Sequence, residues 1–186
     1  MARLQPLAPA DMTEAQRAVH DASLRPSRTA GPRPPRPFTA WLRSPDLARR
    51  AFQLGEFARH EADLPPPLVQ IAALTVARHW SAQYLWRTRK EEALRLGLPA
   101  AAIDAIAERR EPRFGDAAER AVHAFSHGLL RHHAVADDVY RAALDALGER
   151  GVVELTGVLG YYTLVAMTLV AFELGLPDGV PPDLAP

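Results

Sequence analysis

The 186-residue sequence contains no cysteine. That excludes a disulfide, a thiolate metal site and a redox dithiol within the chain. It carries no formal net charge, with 22 basic and 22 acidic residues. A nucleic-acid binder shows a basic excess on one face, so this balance argues against one. Lysine is almost missing as well: Lys90 is the single one, and the other basic residues are arginine. The opening segment MARLQPLAPADMTEAQ lacks the apolar core of a signal peptide, so a cytoplasmic location is expected.

One long run is free of charge. Leu155 to Phe172, LTGVLGYYTLVAMTLVAF, spans 18 residues, the lower limit for a membrane span. Glu154 and Glu173 bracket it, no basic flank sets an orientation, and Gly157, Gly160, Thr156, Thr163 and Thr168 dilute it. It is expected to be buried in a core or a subunit interface, not in a membrane.

Strand signals are scarce. Apolar residues recur at spacings of three and four, and Ala, Leu, Arg and Glu dominate. Helices are expected over Asp11–Leu24, from Ser44-Pro45-Asp46 to about His60, and from Pro65–Pro67 to His79. Further helices are expected from Ser81 to Leu96, over Pro99–Arg109, Asp116–His133 and Ala136–Leu147, and over Gly151–Leu174. Ser44 and Ser81 are read as N-caps, with Gly97 and Gly148 as stops. Residues 25–37, RPSRTAGPRPPRP, hold five prolines, which fix φ and remove donors; an extended arm is expected there. The whole reads as one all-α domain over residues 1–186 with short connections.

The most informative segment is PLVQIAALTVARHWSAQYLWRTRKEEALRLGL, Pro67 to Leu98. It reads as two helices joined at Trp80-Ser81, with Gln70, His79, Tyr84, Trp86 and Arg89 set among core residues. Together with PFTAWLRSPDLARRAFQLGEFAR before it and VVELTGVLGYY after it, this segment resembles the carboxymuconolactone decarboxylase family, which includes the alkyl hydroperoxidase D proteins. The resemblance covers nearly the whole chain. It implies an alkyl hydroperoxidase D-like helical bundle, assembly into homo-trimers or hexamers, and one of two activities. These are decarboxylation of a carboxylated lactone and peroxide reduction through a CxxC pair.

The departures narrow the choice. Gln70 stands where the peroxidase branch has its Glu, and Ala82 and Leu85 stand where it has its cysteines. Tyr84 replaces a His between them, and Arg89 replaces the His one turn later. Without a thiol, dithiol peroxidase chemistry is excluded. Cysteine-free relatives keep Tyr-x-Trp-x-x-His here, whereas this chain has Tyr84-x-Trp86-x-x-Arg89. Arginine stays protonated and is no ordinary general base, but it clamps a carboxylate and stabilises developing negative charge.

The expected catalytic set is therefore Arg89 and Gln70 as anion clamp and His79 as proton source, with Tyr84 and Trp86 as the substrate-binding wall. The substrate would be a small cyclic or aromatic acid, and the activity a lyase needing no cofactor and no metal. The competing reading is a non-catalytic member that binds a small acid or only assembles. In it, Arg89 pairs with Glu92, His79 closes its helix, and Trp86 and Gln70 belong to the core. His123 and His127, at i and i+4, are read as an exposed helix face rather than metal ligands. Glu154, if buried, needs a partner, expected from another helix or subunit.

Overall fold

The structure is a computed structural model that describes residues 2–24 and 36–185. Among them there is no strand. Eight α-helices follow in order: α1 Glu14–Ser23, α2 Arg36–Trp41, α3 Pro45–Glu56, α4 Pro66–His79, α5 Gln83–Arg95, α6 Ala100–Ala107, α7 Ala117–His132 and α8 Asp137–Ala171. A 3₁₀ turn, Pro9–Asp11, precedes α1, and a π-helical turn, Phe57–Glu61, extends α3.

Helix α4 is the axis of the bundle. It packs against α5, α7 and α8, and Leu68 through Arg78 are all buried. This explains its composition: a helix covered on every side has no polar stripe to show. Its Ile71, Leu74 and Val76 are among the most deeply buried side chains, with Trp86, Ile103, Leu155, Val122 and Val158 from the helices around it.

Helix ends explain several differences from the sequence reading. The first helix starts later than Asp11, because Thr13 and Gln16 form a capping box and Asp11 falls in the 3₁₀ turn before it. Ser44 sits at the N-cap of α3 without making a side-chain cap bond. Ser81 is not the N-cap of α5; Ala82 is. Ser81 instead closes α4, at φ 48°, where Ser81 N–H donates to Arg78 O (3.1 Å) and Ala82 N–H to Ala77 O (2.8 Å). That is a Schellman motif with serine in the left-handed position. The same pair of bonds closes α5 at Gly97, α6 at Arg109 and α8 at Glu173. Only the glycine announces itself in the sequence, since an L-residue there is conformationally costly.

Asp116 caps α7 as its residue type suggests, accepting from Ala118 N–H at 2.7 Å and Glu119 N–H at 3.2 Å. Gly148, at φ 68°, ψ 172°, breaks the helical geometry inside α8 where a stop was expected. The expected arm over 25–37 lies outside the described residues except for Arg36 and Pro37, which open α2 rather than extend.

Helix α8 is long and apolar enough to cross a membrane by length and composition, but 61% of its most apolar window is buried within the chain. That is the pattern of a soluble protein's core helix. Glu154 is paired within its own helix, not with a residue of another helix: it accepts from Arg150 Nε at 2.8 Å. It also accepts from the backbone N–H of Asp63 at 2.5 Å, which ties the α3–α4 connection to α8. The Arg150 hydrogen bond, then the Asp63 amide, holds its carboxyl below the usual range.

Candidate functional site

A polar cluster is built where α3, α5 and α8 meet. The π turn after α3 carries Arg59, whose Nη1 donates to the Tyr161 hydroxyl at 2.8 Å and whose Nη2 donates to Glu56 Oε1 at 2.7 Å. Helix α5 brings Arg89, whose Nη1 lies 3.5 Å from the Tyr162 hydroxyl. The tyrosine rings of α8 meet edge to face, with centroids 5.1 Å apart. Each is faced by a guanidinium, Arg59 at 5.6 Å from the Tyr161 centroid and Arg89 at 6.0 Å from that of Tyr162.

The charges in this cluster do not balance. Glu56 pairs with Arg59. Arg89 makes no ion pair among the described residues; Glu92, one turn along, is taken by Arg95 at 2.8 and 2.5 Å. The Arg89 Nε is buried and has no hydrogen-bond partner among the described residues. A buried guanidinium N–H without an acceptor costs free energy that an anionic ligand would recover. Tyr161 keeps its proton, because burial pushes its pKa up against the opposing pull of Arg59.

Gly55 makes the cluster sterically feasible. A Cβ there would lie 2.5 Å from the Tyr161 hydroxyl oxygen and 2.9 Å from Arg59 Nη1. Gly→Ala inside a helix ordinarily stabilises by about 1 kcal/mol. Gly55→Ala is expected to do the opposite, lowering the melting temperature and freeing the Tyr161 ring, as read by its fluorescence or NMR shifts. A rise in melting temperature would show that the contact is slack.

The other expected site residues are dispersed. Gln70, on α4, is 5% exposed, and its Oε1 has no hydrogen-bond partner among the described residues. Trp86 is fully buried, with an unpartnered indole N–H, so it packs in the core rather than along an open wall. Tyr84 is half-buried, with the Arg36 guanidinium 5.5 Å from its ring centroid.

His79 does not join Arg89. It ends α4, exposed, on a cavity of 550 Å³ that also includes Arg78, Arg109, His127 and Arg131 and excludes Arg89. Partial desolvation lowers its pKa first, and His133, Arg109, Arg131 and His127 lower it further. His123 is a correction to the exposed-face expectation. It is 6% exposed, its ring is 6.0 Å from that of Phe114, and burial, helped by His127, brings its pKa to about 4. His127 is exposed as expected. No group of three or more His, Asp or Glu side chains placed to hold a metal occurs among the described residues.

Sequence reasoning missed Arg59, because nothing in FARHE marks a π turn. The adjacent Tyr161 and Tyr162 are visible in the sequence as an aromatic pair within the apolar run of α8.

No family model and no curated protein matches this sequence. Solved structures do. The debrominase Bmp8, as a Cys-to-Ala variant in complex with 2,3,4-tribromopyrrole, superposes with a TM-score of 0.73 at 16% identity. The match covers 96% of this chain and 95% of that one. The apo form of Bmp8 gives 0.69 at 18% identity, over 90% and 88% of the two chains. A protein of unknown function from Agrobacterium tumefaciens, described as a candidate antioxidant defence protein AhpD, gives 0.66 at 16% identity. It covers 74% of this chain and 95% of its own.

The chain has the alkyl hydroperoxidase D-like fold. This agrees with the resemblance carried by Pro67 to Leu98 and by the VVELTGVLGYY run. Within that fold, this AhpD-like chain has arginine and tyrosine on α5 and α8 and no thiol at all.

Proposed function

We propose that this AhpD-like protein binds a small cyclic or aromatic acid at the Arg89–tyrosine cluster and acts on it as a decarboxylase-like lyase. The observation that carries this reading is the buried, unpartnered Nε of Arg89 beside the Tyr162 hydroxyl. A carboxylate or enolate oxygen is the acceptor such a group is built for. In the reaction the C–CO₂⁻ bond breaks and CO₂ leaves. The electron pair is delocalised into a conjugated ring carbonyl, and the resulting enolate takes a proton at carbon. Arg89 stabilises the enolate oxygen as its charge develops. His79 lines a different cavity, so the proton falls to the tyrosine pair, and solvent restores it.

The test is a screen of small carboxylated lactones and aromatic acids for CO₂ release by the purified protein, with Arg89→Ala as the control. Binding without turnover would favour the non-catalytic alternative. Neither binding nor turnover in any acid would remove the reading.

We also propose a cytoplasmic homo-oligomer. On α8, Val153, Thr156, Gly160, Met167 and Val170 are exposed at spacings of three, four and seven, and none is charged. Val153 is 71% exposed, unusual for a valine in a helix this apolar. A second copy would cover that stripe. Met167→Glu with Val170→Glu is expected to shift the sedimentation coefficient to that of a monomer. A wild-type protein that already sediments as a monomer contradicts the assembly.

A further inference from the structure

Away from the Arg89 cluster, the 550 Å³ cavity between the ends of α4 and α6 and the face of α7 is lined by four arginines and three histidines against one carboxylate, Glu111. Among the described residues Arg110 pairs with Glu108, while Arg78, Arg109 and Arg131 make no ion pair. Arg78 is 6% exposed; one Nη donates to Ser81 Oγ at 2.8 Å, and its Nε is buried with no partner. Arg109 and Arg131 are exposed, so one buried and two solvent-accessible guanidiniums of like charge line the same cavity. Burial, and then Arg109, lowers the Arg78 pKa. Arg109, in the left-handed position that closes α6 (φ 59°), lines the cavity. Ile106 and Leu130 supply an apolar wall.

We infer that this cavity binds a small molecule bearing a multiply charged oxyanion, held by Arg78, Arg109 and Arg131, with its body against Ile106 and Leu130. Phosphate monoesters and dicarboxylates share that chemistry. The cavity is larger than a bare phosphate, which leaves room for a carbon skeleton on the ligand. The site is independent of the lyase reading, since no residue of the Arg89 cluster lines it.

The experiment uses full-length protein, with inorganic phosphate and phthalate as probes and sodium chloride at matched ionic strength as the control. Calorimetry reads affinity, and NMR follows the His79 ring. At least one probe is expected to bind saturably and to raise the His79 pKa. A bound anion offsets the neighbouring groups that lower it: His133, Arg109, Arg131 and His127. Phosphate binding the tighter assigns the phosphoryl class, and phthalate the dicarboxylate class.

Arg109→Gly with Arg131→Gln is expected to weaken binding at least tenfold, which is about 1.4 kcal/mol. Glycine suits the left-handed C′ position, so this variant loses charge without losing the helix end. Arg49→Gln, on α3, removes an arginine elsewhere and is expected to leave affinity unchanged. Chloride matching both probes, or equal weakening by Arg49→Gln and by the double variant, overturns the inference.

Discussion

Replacing Arg89 with alanine is expected to reduce turnover of an identified acid by about 10²–10³-fold in kcat, the loss seen when one donor to a developing oxyanion is removed. The oligomer and the helical circular dichroism should not change. Among the described residues the guanidinium is not bound to a carboxylate, and its hydrogen bond to Tyr162 is 3.5 Å long. Little of the fold therefore depends on it. Removing it should relieve an unpartnered Nε, so the melting temperature should hold or rise. That combination, activity lost and stability kept, is the signature of a group retained for a ligand. Arg89→Lys separates charge from shape. It keeps the positive charge but not the planar fork, and should fall between wild type and alanine. Unchanged turnover in Arg89→Ala would detach this residue from the chemistry.

Trp86→Ala should have the largest effect on stability. Trp86 is wholly enclosed by the core, and emptying such a site costs about 3–5 kcal/mol. For a chain of this length the melting temperature should fall by about 10 °C. Trp86→Phe is the informative partner. The indole N–H has no acceptor, so phenylalanine gives up a buried unpaired donor along with some volume. A cost below about 1.5 kcal/mol is expected. If Trp86→Phe proves as damaging as Trp86→Ala, the indole N–H has a partner that matters, and Trp86 returns as part of a binding wall.

Sequence pattern reached the helical hairpin of α4 and α5 because both helices carry a continuous signal, apolar in one and charged in the other. It reached Gly97 because glycine is matched to the left-handed backbone a helix stop needs. It failed at Ser81, Arg109 and Glu173, where a Schellman motif holds an ordinary residue in the left-handed region. It also placed His79 with Arg89. The two are close in sequence and share one hairpin. Yet α4 directs His79 toward α7 and α6, while α5 directs Arg89 toward α8.

By itself the chain settled two matters: that it is helical, since its apolar residues recur at helical spacing, and that thiol chemistry is closed to it, since it has no cysteine. Which cations stand together was settled only in three dimensions. Arg59 reaches Tyr161 through a π turn, and four arginines from three separate stretches of chain gather around one cavity. The physical reason is range. Helical propensity and capping act over a few neighbouring residues, whereas an electrostatic site sums charges contributed from across the chain and takes its sign only after packing has decided which of them face inward.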